Sequence, residues 1–533
     1  MALPARPGRS GDSHLDGRLV TFPRPLVGPV STNKTEPPLS DLAALTATEQ
    51  ARLVRERTVS PVELVDAALS RIETVQPVCG PFAFVFAEEA RKEATRLARS
   101  PLRGSIPPLL GVPVAFKDFT PTQGHRTTRG SFAFENWVAD YDPVIVRRFK
   151  QAGAIVIGKT TTPEFAHSSF TRSPLWGMTG NPWDPARSAG GSSGGSGVAV
   201  TTGCAALAEG TDMGGSVRIP AALCGCVGLK PSLGRIPMDI LPTVFDDMSH
   251  FGPLTRTVQD ASLFLSVAEG PDDTDISSQR RPVPLPDRLD GDLTGIHIAL
   301  SEDLGMYEVN PEVRKNLLLA ADALRDAGAT IEPVELGWSA EIYRTWMDWW
   351  GVYLAAIFAD CLADHRERMD PKVVTLIEAG LAKDAVSFAR IDQVRTRQWY
   401  ELARVFERFH ALICPTMALP APDNSADEDA FEFIDDSGRV HGLDMTSPFN
   451  MVAQCPALSV PSGVTSDGLP TAIQIVGRRF DDPMVLKIGT AVEKRRPWCL
   501  WTPELLPSGP VAANGTGLNP NPSPGKCKSV TNP

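Results

Sequence analysis

The chain has 533 residues, 42% hydrophobic and 22% charged, with a formal net charge of −11. Such a chain can bury most of its apolar surface without metals or disulfides, and its acidity argues against nucleic acid as a partner. No run approaches about 18 consecutive apolar residues, so neither a helical membrane span nor a membrane partner is expected.

Residues 1–38 are rich in Pro, Gly, Arg and Thr and read as an extended N-terminal arm. Apolar residues recur at helical spacing over 39–58 and 60–75, and Ser60-Pro61 with Glu63 forms a helix start signal. LLGVPVAFKD (109–118) and GAIVIGKT (153–160) read as short buried strands, joined by a helix in VIVRRFKQAGA that ends at Gly153. Further along come a strand in GIHIALSED, a helix over 311–328, and an aromatic-rich helical region over 338–400. Strands in HALICPTMA, PALSVPSGV and TAIQIVG and a helix over 481–496 follow. This alternation predicts an α/β fold, a large sheet with helices on both faces and a helical insertion. The Pro/Gly/Asn-rich stretch 507–533 reads as a disordered tail.

The run SAGGSSGGSGVAV (188–200) first resembles a linker, yet small apolar residues suited to a packed helix follow it at once. A phosphate loop does not fit, because GxxxxGK[ST] and GxGxxG are both missing. Gly190-Gly191-Ser192-Ser193-Gly194 matches GxSxG, but the strand a nucleophile elbow needs does not precede it, and His250 and His441 lack a recognisable context. A serine activated by a neutral, buried lysine needs no histidine. Lys117, at the end of an apolar strand, suits that role.

The motifs GGSSGGSG, EGTDMGGSVRIPAALCGCVGLKPS, GVPVAFKD, GKTTTPEFA and WGMTGNPWDPARSAGG resemble the amidase signature family of serine amide hydrolases, over about residues 40 to 505. The resemblance implies one catalytic domain over 39–506, with the large twisted mixed sheet of the amidase signature fold. It implies a Ser-Ser-Lys triad: Lys117 as base, Ser192 as relay after a cis peptide bond, and Ser216 as nucleophile, 24 positions after Ser192. The oxyanion would rest on backbone amides of Met213, Gly214, Gly215 and Ser216. Ser193, Gly191, Asp212 and Arg218 are expected to support these loops. Asp118 follows Lys117 on a strand, so it is expected to face away and leave the lysine without an anion.

Met178, Trp346 and Trp350 are the candidate substrate-binding residues. The expected substrate is an amide or carbamate with apolar character, cleaved to a carboxylate and an amine or ammonia. The alternative is the glutaminase subunit of a tRNA-dependent amidotransferase. The eight histidines show neither HxxxH nor HExxH spacing, so no metal or other cofactor is expected. The nine scattered cysteines read as reduced thiols of a cytoplasmic protein. A homodimer would suit the family.

Overall fold

The computed structural model describes residues 39–101, 104–286 and 289–498. The expected arm over 1–38 and tail over 507–533 lie outside these residues. Eleven strands form the main sheet: β1 Phe82–Val85, β2 Pro113–Lys117, β3 Ile155–Thr160, β4 Leu207–Asp212, β5 Val227–Lys230, β6 His250–Thr255, β7 His297–Leu300, β8 Thr330–Pro333, β9 Ala411–Pro415, β10 Ala457–Val464 and β11 Pro470–Gly477. Their spatial order is β1-β3-β2-β4-β6-β5-β10-β11-β9-β7-β8. Pairing is parallel within β3-β2-β4 and within β9-β7-β8, and antiparallel elsewhere. The sheet is therefore mixed, as the resemblance implies.

Both faces are covered. Along β2, Val114 and Phe116 enter one hydrophobic core while Ala115 enters another, the alternation a strand imposes. The first core includes Ile145, Val146 and Phe149 of the helix Val144–Gln151. The second packs against the helices Pro61–Cys79, Ala87–Arg99 and Gly194–Thr201.

Ser60 and Glu63 form the expected capping box. The segment 39–58 divides instead into Leu39–Ala44 and Ala47–Arg55. Thr46 and Glu49 build a second capping box there, and its extended cap residue interrupts one helix to start the next. The 338–400 region is helical, chiefly Ala340–Phe358, Pro371–Leu381 and the start of Ile391–Arg408. Its first long helix lines the cavity described below.

Candidate active site

Lys117 closes β2 on the face of Ala115, the face covered by the Gly/Ser helix Gly194–Thr201. Its Nζ lies 2.7 Å from Ser192 Oγ and 2.9 Å from Thr211 Oγ1. The residue is fully buried. Burial pushes the lysine ammonium down to about 7, while Glu209 and Asp212 pull the other way. A cation removed from water is destabilised, and here that loss exceeds the attraction of the carboxylates. A buried amine that is neutral near pH 7 can take a proton from the hydroxyl beside it.

Asp118 does face away: its carboxylate accepts from the Thr128 N–H and hydroxyl, and Lys159 Nζ stands 3.9 Å off. The expectation that no anion approaches Lys117 fails nevertheless. Glu209, on the neighbouring strand β4, accepts the Lys117 backbone N–H at 2.9 Å and the Thr120 hydroxyl at 3.0 Å. Burial pushes the Glu209 carboxyl up, which weakens its hold on the lysine charge. Pairing between β2 and β4 brings this carboxylate in, and a strand neighbour is not visible in local sequence.

The peptide bond Gly191–Ser192 is cis. The helix Gly194–Thr201 starts two residues on, and every residue in it is buried. Its Gly content follows from crowding: a Cβ on Gly195 would stand 2.5 Å from Pro81 O and Thr161 N. Ser193 N–H donates to Ser216 C=O at 3.2 Å, and its hydroxyl reaches Thr211 C=O at 3.5 Å. Ser193 thus ties the Gly/Ser run to the loop that carries Ser216.

That loop is shaped by Asp212 and Arg218, both fully buried. Arg218 grips the carboxylate with two bonds, Nε to Oδ2 at 3.0 Å and Nη2 to Oδ1 at 2.9 Å. The guanidinium also donates to Thr446 C=O, Gln474 Oε1 and Asn450 Oδ1, while Asn450 Nδ2 donates to Asp212. Burial works to raise the Asp212 carboxyl, but Arg218 holds it well below the usual range. The ionised carboxylate then accepts Gly215 N–H at 3.0 Å and Val217 N–H at 3.2 Å, which folds the chain around Ser216.

This corrects the expected oxyanion set. Gly215 N–H is committed to Asp212, so Met213, Gly214 and Ser216 remain as candidate donors. Gly215 has φ of 129°, and a Cβ there would lie 1.8 Å from Thr446 Oγ1. Gly215→Ala is expected to destabilise the protein by about 1–3 kcal/mol in urea unfolding, and to remove activity by displacing the loop. Unchanged stability and rate would contradict this reading of the turn.

A cavity of about 230 Å³ opens onto Ser192, Thr211, Met213, Gly214 and Ser216. Phe119, Phe165, Trp346, Trp350, Tyr353 and Phe358 supply an aromatic wall. Trp346, Trp350 and Tyr353 follow one face of the helix Ala340–Phe358 at i, i+4 and i+7. Successive ring centroids stand 6.0 Å apart. Trp346 lies against the nucleophile loop, where a Cβ on Gly214 would meet its ring at 2.3 Å. Met178 is a correction: it sits in the short hairpin Arg172–Ser173 with Gly177–Met178, 56% exposed and outside the cavity wall. The turn at Gly177 carries its side chain to solvent.

His250 lies beneath the loop, with Nδ1 at 3.2 Å from Asp212 C=O, and it does not line the cavity. Burial and Lys230 push its imidazolium down to about 3, so it stays neutral. Sequence reasoning missed Thr211, Glu209, Thr446, Asn450 and Gln474. Thr211 adjoins Asp212 within the EGTDMGGS motif; the last three come from segments more than 220 residues away from the loop. Among the described residues, no helix is long and apolar enough to cross a membrane, and no three potential ligands converge on a metal position. The seven cysteines described are unpaired, six of them buried.

The amidase family model matches residues 63–486. An acylamidase of Rhodococcus erythropolis is 36% identical over 465 residues, spanning 85% of this chain and 96% of its own. The A-type glutamyl-tRNA(Gln) amidotransferase subunit of Roseiflexus sp. is 35% identical, spanning 87% and 99%. The crystal structure of a bacterial aryl acylamidase of the amidase signature enzymes matches with a TM-score of 0.80 at 29% identity, over 86% of this chain and 98% of that one. These matches run through the strands and loops that carry Lys117, Ser192 and Ser216, and they establish that the chain belongs to the amidase signature family, enzymes that cleave amide C–N bonds.

Proposed function

We propose that this protein is a stand-alone amidase that hydrolyses a carboxylic amide or carbamate with an apolar arm, through an acyl-enzyme on Ser216. What supports this reading is the 2.7 Å contact of buried Lys117 with Ser192 at a cavity that Ser216 also lines. Ser216 Oγ attacks the carbonyl carbon, its proton passes to Ser192, and the Ser192 proton passes to Lys117. The amides of Met213, Gly214 and Ser216 hold the oxyanion. The relay then returns a proton to the leaving amine, whose expulsion as an anion would be prohibitive. Water enters by the same route, returning a proton to Ser216, and the acyl group leaves as a carboxylate, or from a carbamate as a carbonate half-ester that loses carbon dioxide.

The aromatic wall, with Trp346 against Gly214, supports an apolar or aryl substituent next to the reacting carbonyl. A fluorophosphonate probe is expected to label wild-type protein on Ser216, and Ser216→Ala is expected to abolish both labelling and turnover. Labelling that survives the substitution would reject the assignment of the nucleophile.

The 35% identity to an amidotransferase component favours a second reading, a glutaminase that works within such a complex. Glutamine hydrolysis that appears only with a second protein would establish it in place of the first. The proposal includes cytoplasmic residence, supported by the unpaired buried thiols, and the homodimer expected of the family, which light scattering reads directly.

A further inference from the structure

Besides its aromatic wall, the cavity has an acidic one. Glu428, Asp429, Glu432 and Asp444 line it, with Lys372 among them. Two of these carboxylates are matched by cations: Arg172 pairs with Glu428 at 2.9 Å, and Lys372 with Asp429 at 2.8 Å. Asp444 accepts from Thr446 N–H at 3.0 Å and from Ser169 Oγ at 3.2 Å, with Thr446 Oγ1 at 2.6 Å; it makes no ion pair among the described residues, and the cation that acts on it, from a distance, is Arg218. Glu432 has neither a hydrogen-bond donor nor an ion-pair partner among the described residues. It is partly buried and lines the cavity.

A carboxylate in that position is unfavourable without a counter-charge. Burial first, and then Glu428 and Asp444, push the Glu432 carboxyl up to about 8; Lys372 opposes them and Asp429 adds to them. A bound cation would relieve this. The carboxylates do not converge on a point the size of a metal ion, so the fitting cation is an organic ammonium, with several donors on a larger centre. The wall also adjoins the chemistry. Thr446 Oγ1 stands 2.6 Å from both Asp444 Oδ1 and Gly214 O, and Gly214 precedes Ser216 by two residues. Tyr343, an aromatic side chain of the kind that attracts cations, lines the same cavity.

We propose that the acidic wall centred on Glu432 is a subsite for a positively charged amine on the substrate, so that the preferred amide carries an ammonium group on an apolar stem. The inference rests on the amidase reading and names its substrate class: the stem lies along the aromatic wall and the ammonium against Glu432 and Asp444.

Two isosteric pairs test it, each exchanging an ammonium for a methyl group. One varies the acyl arm (δ-aminovaleryl and hexanoyl p-nitroanilides), the other the amine arm (N-(aminobutyl)benzamide and N-pentylbenzamide). In one pair or both, wild type is expected to favour the ammonium member in kcat/KM by about tenfold or more. Glu432→Gln is expected to bring that ratio to about one, and Lys372→Met to raise it, because one removes the counter-charge and the other its competitor. A neutral member equal or preferred in both pairs overturns the proposal. So does a ratio that neither variant moves. Calorimetric binding of the same pairs to Ser216→Ala protein separates this from the amidase reading. Selective binding without hydrolysis by wild type keeps the subsite and rejects the amidase; hydrolysis without selectivity does the reverse.

Discussion

Lys117→Met is expected to lower kcat by about 10²–10⁴-fold and to leave KM nearly unchanged. Methionine fills a similar volume but accepts no proton, so Ser192 loses the group that would take its hydrogen in both acylation and deacylation. The pH profile carries the sharper test. Because burial pushes Lys117 down to about 7, the amine is neutral and competent above that value. Below it the amine is protonated, and kcat/KM is expected to fall tenfold per pH unit. Glu209→Gln removes a charge that favours the lysine ammonium, and is expected to move the acidic limb to lower pH. A profile flat down to pH 5 would reject lysine as the base, and a Lys117→Met enzyme within tenfold of wild type would reject the relay.

Asp212→Ala is expected to destabilise the protein by about 3–5 kcal/mol, measured by urea unfolding. Most exposed ion pairs contribute little, but here both partners are fully buried. The substitution leaves Arg218 without a carboxylate in the interior. It also leaves the amides of Gly215 and Val217 without their acceptor. The loop around Ser216 therefore loosens, and fluorophosphonate labelling is expected to fall at temperatures where the variant is still folded. A loss below about 1 kcal/mol with normal labelling would mean that the ion pair does not shape the loop.

The strongly periodic elements were legible from the chain alone: the long helix after Ser60-Pro61, the apolar strands ending at Lys117 and Thr160, and β9, β10 and β11. Strand β4, LAEGTD, was not. It alternates nothing hydrophobic and contains Gly210, yet it pairs with β2 on one side and β6 on the other. Neighbouring strands satisfy its backbone, so its own propensity matters little. Its two functional side chains, Glu209 and Thr211, were missed with it. The 39–58 segment shows the converse, a single apolar period divided by a capping box at Thr46.

Residue identity by itself determined the family, since the Gly/Ser run, the DMGGS loop and the lysine at a strand end lie in contiguous motifs where spacing is visible. It also determined that an aromatic helix belongs to the protein, though not which rings face a cavity. Tertiary structure alone decided that Gly215 N–H serves Asp212, that Met178 points to solvent, and that Glu209 stands behind Lys117. It alone placed Asn450, 238 residues from Asp212, and Glu432 at the same centre as Ser216. Periodicity records which way a side chain faces within one element. The charge that compensates it, or fails to, comes from whichever distant segment the sheet order brings alongside.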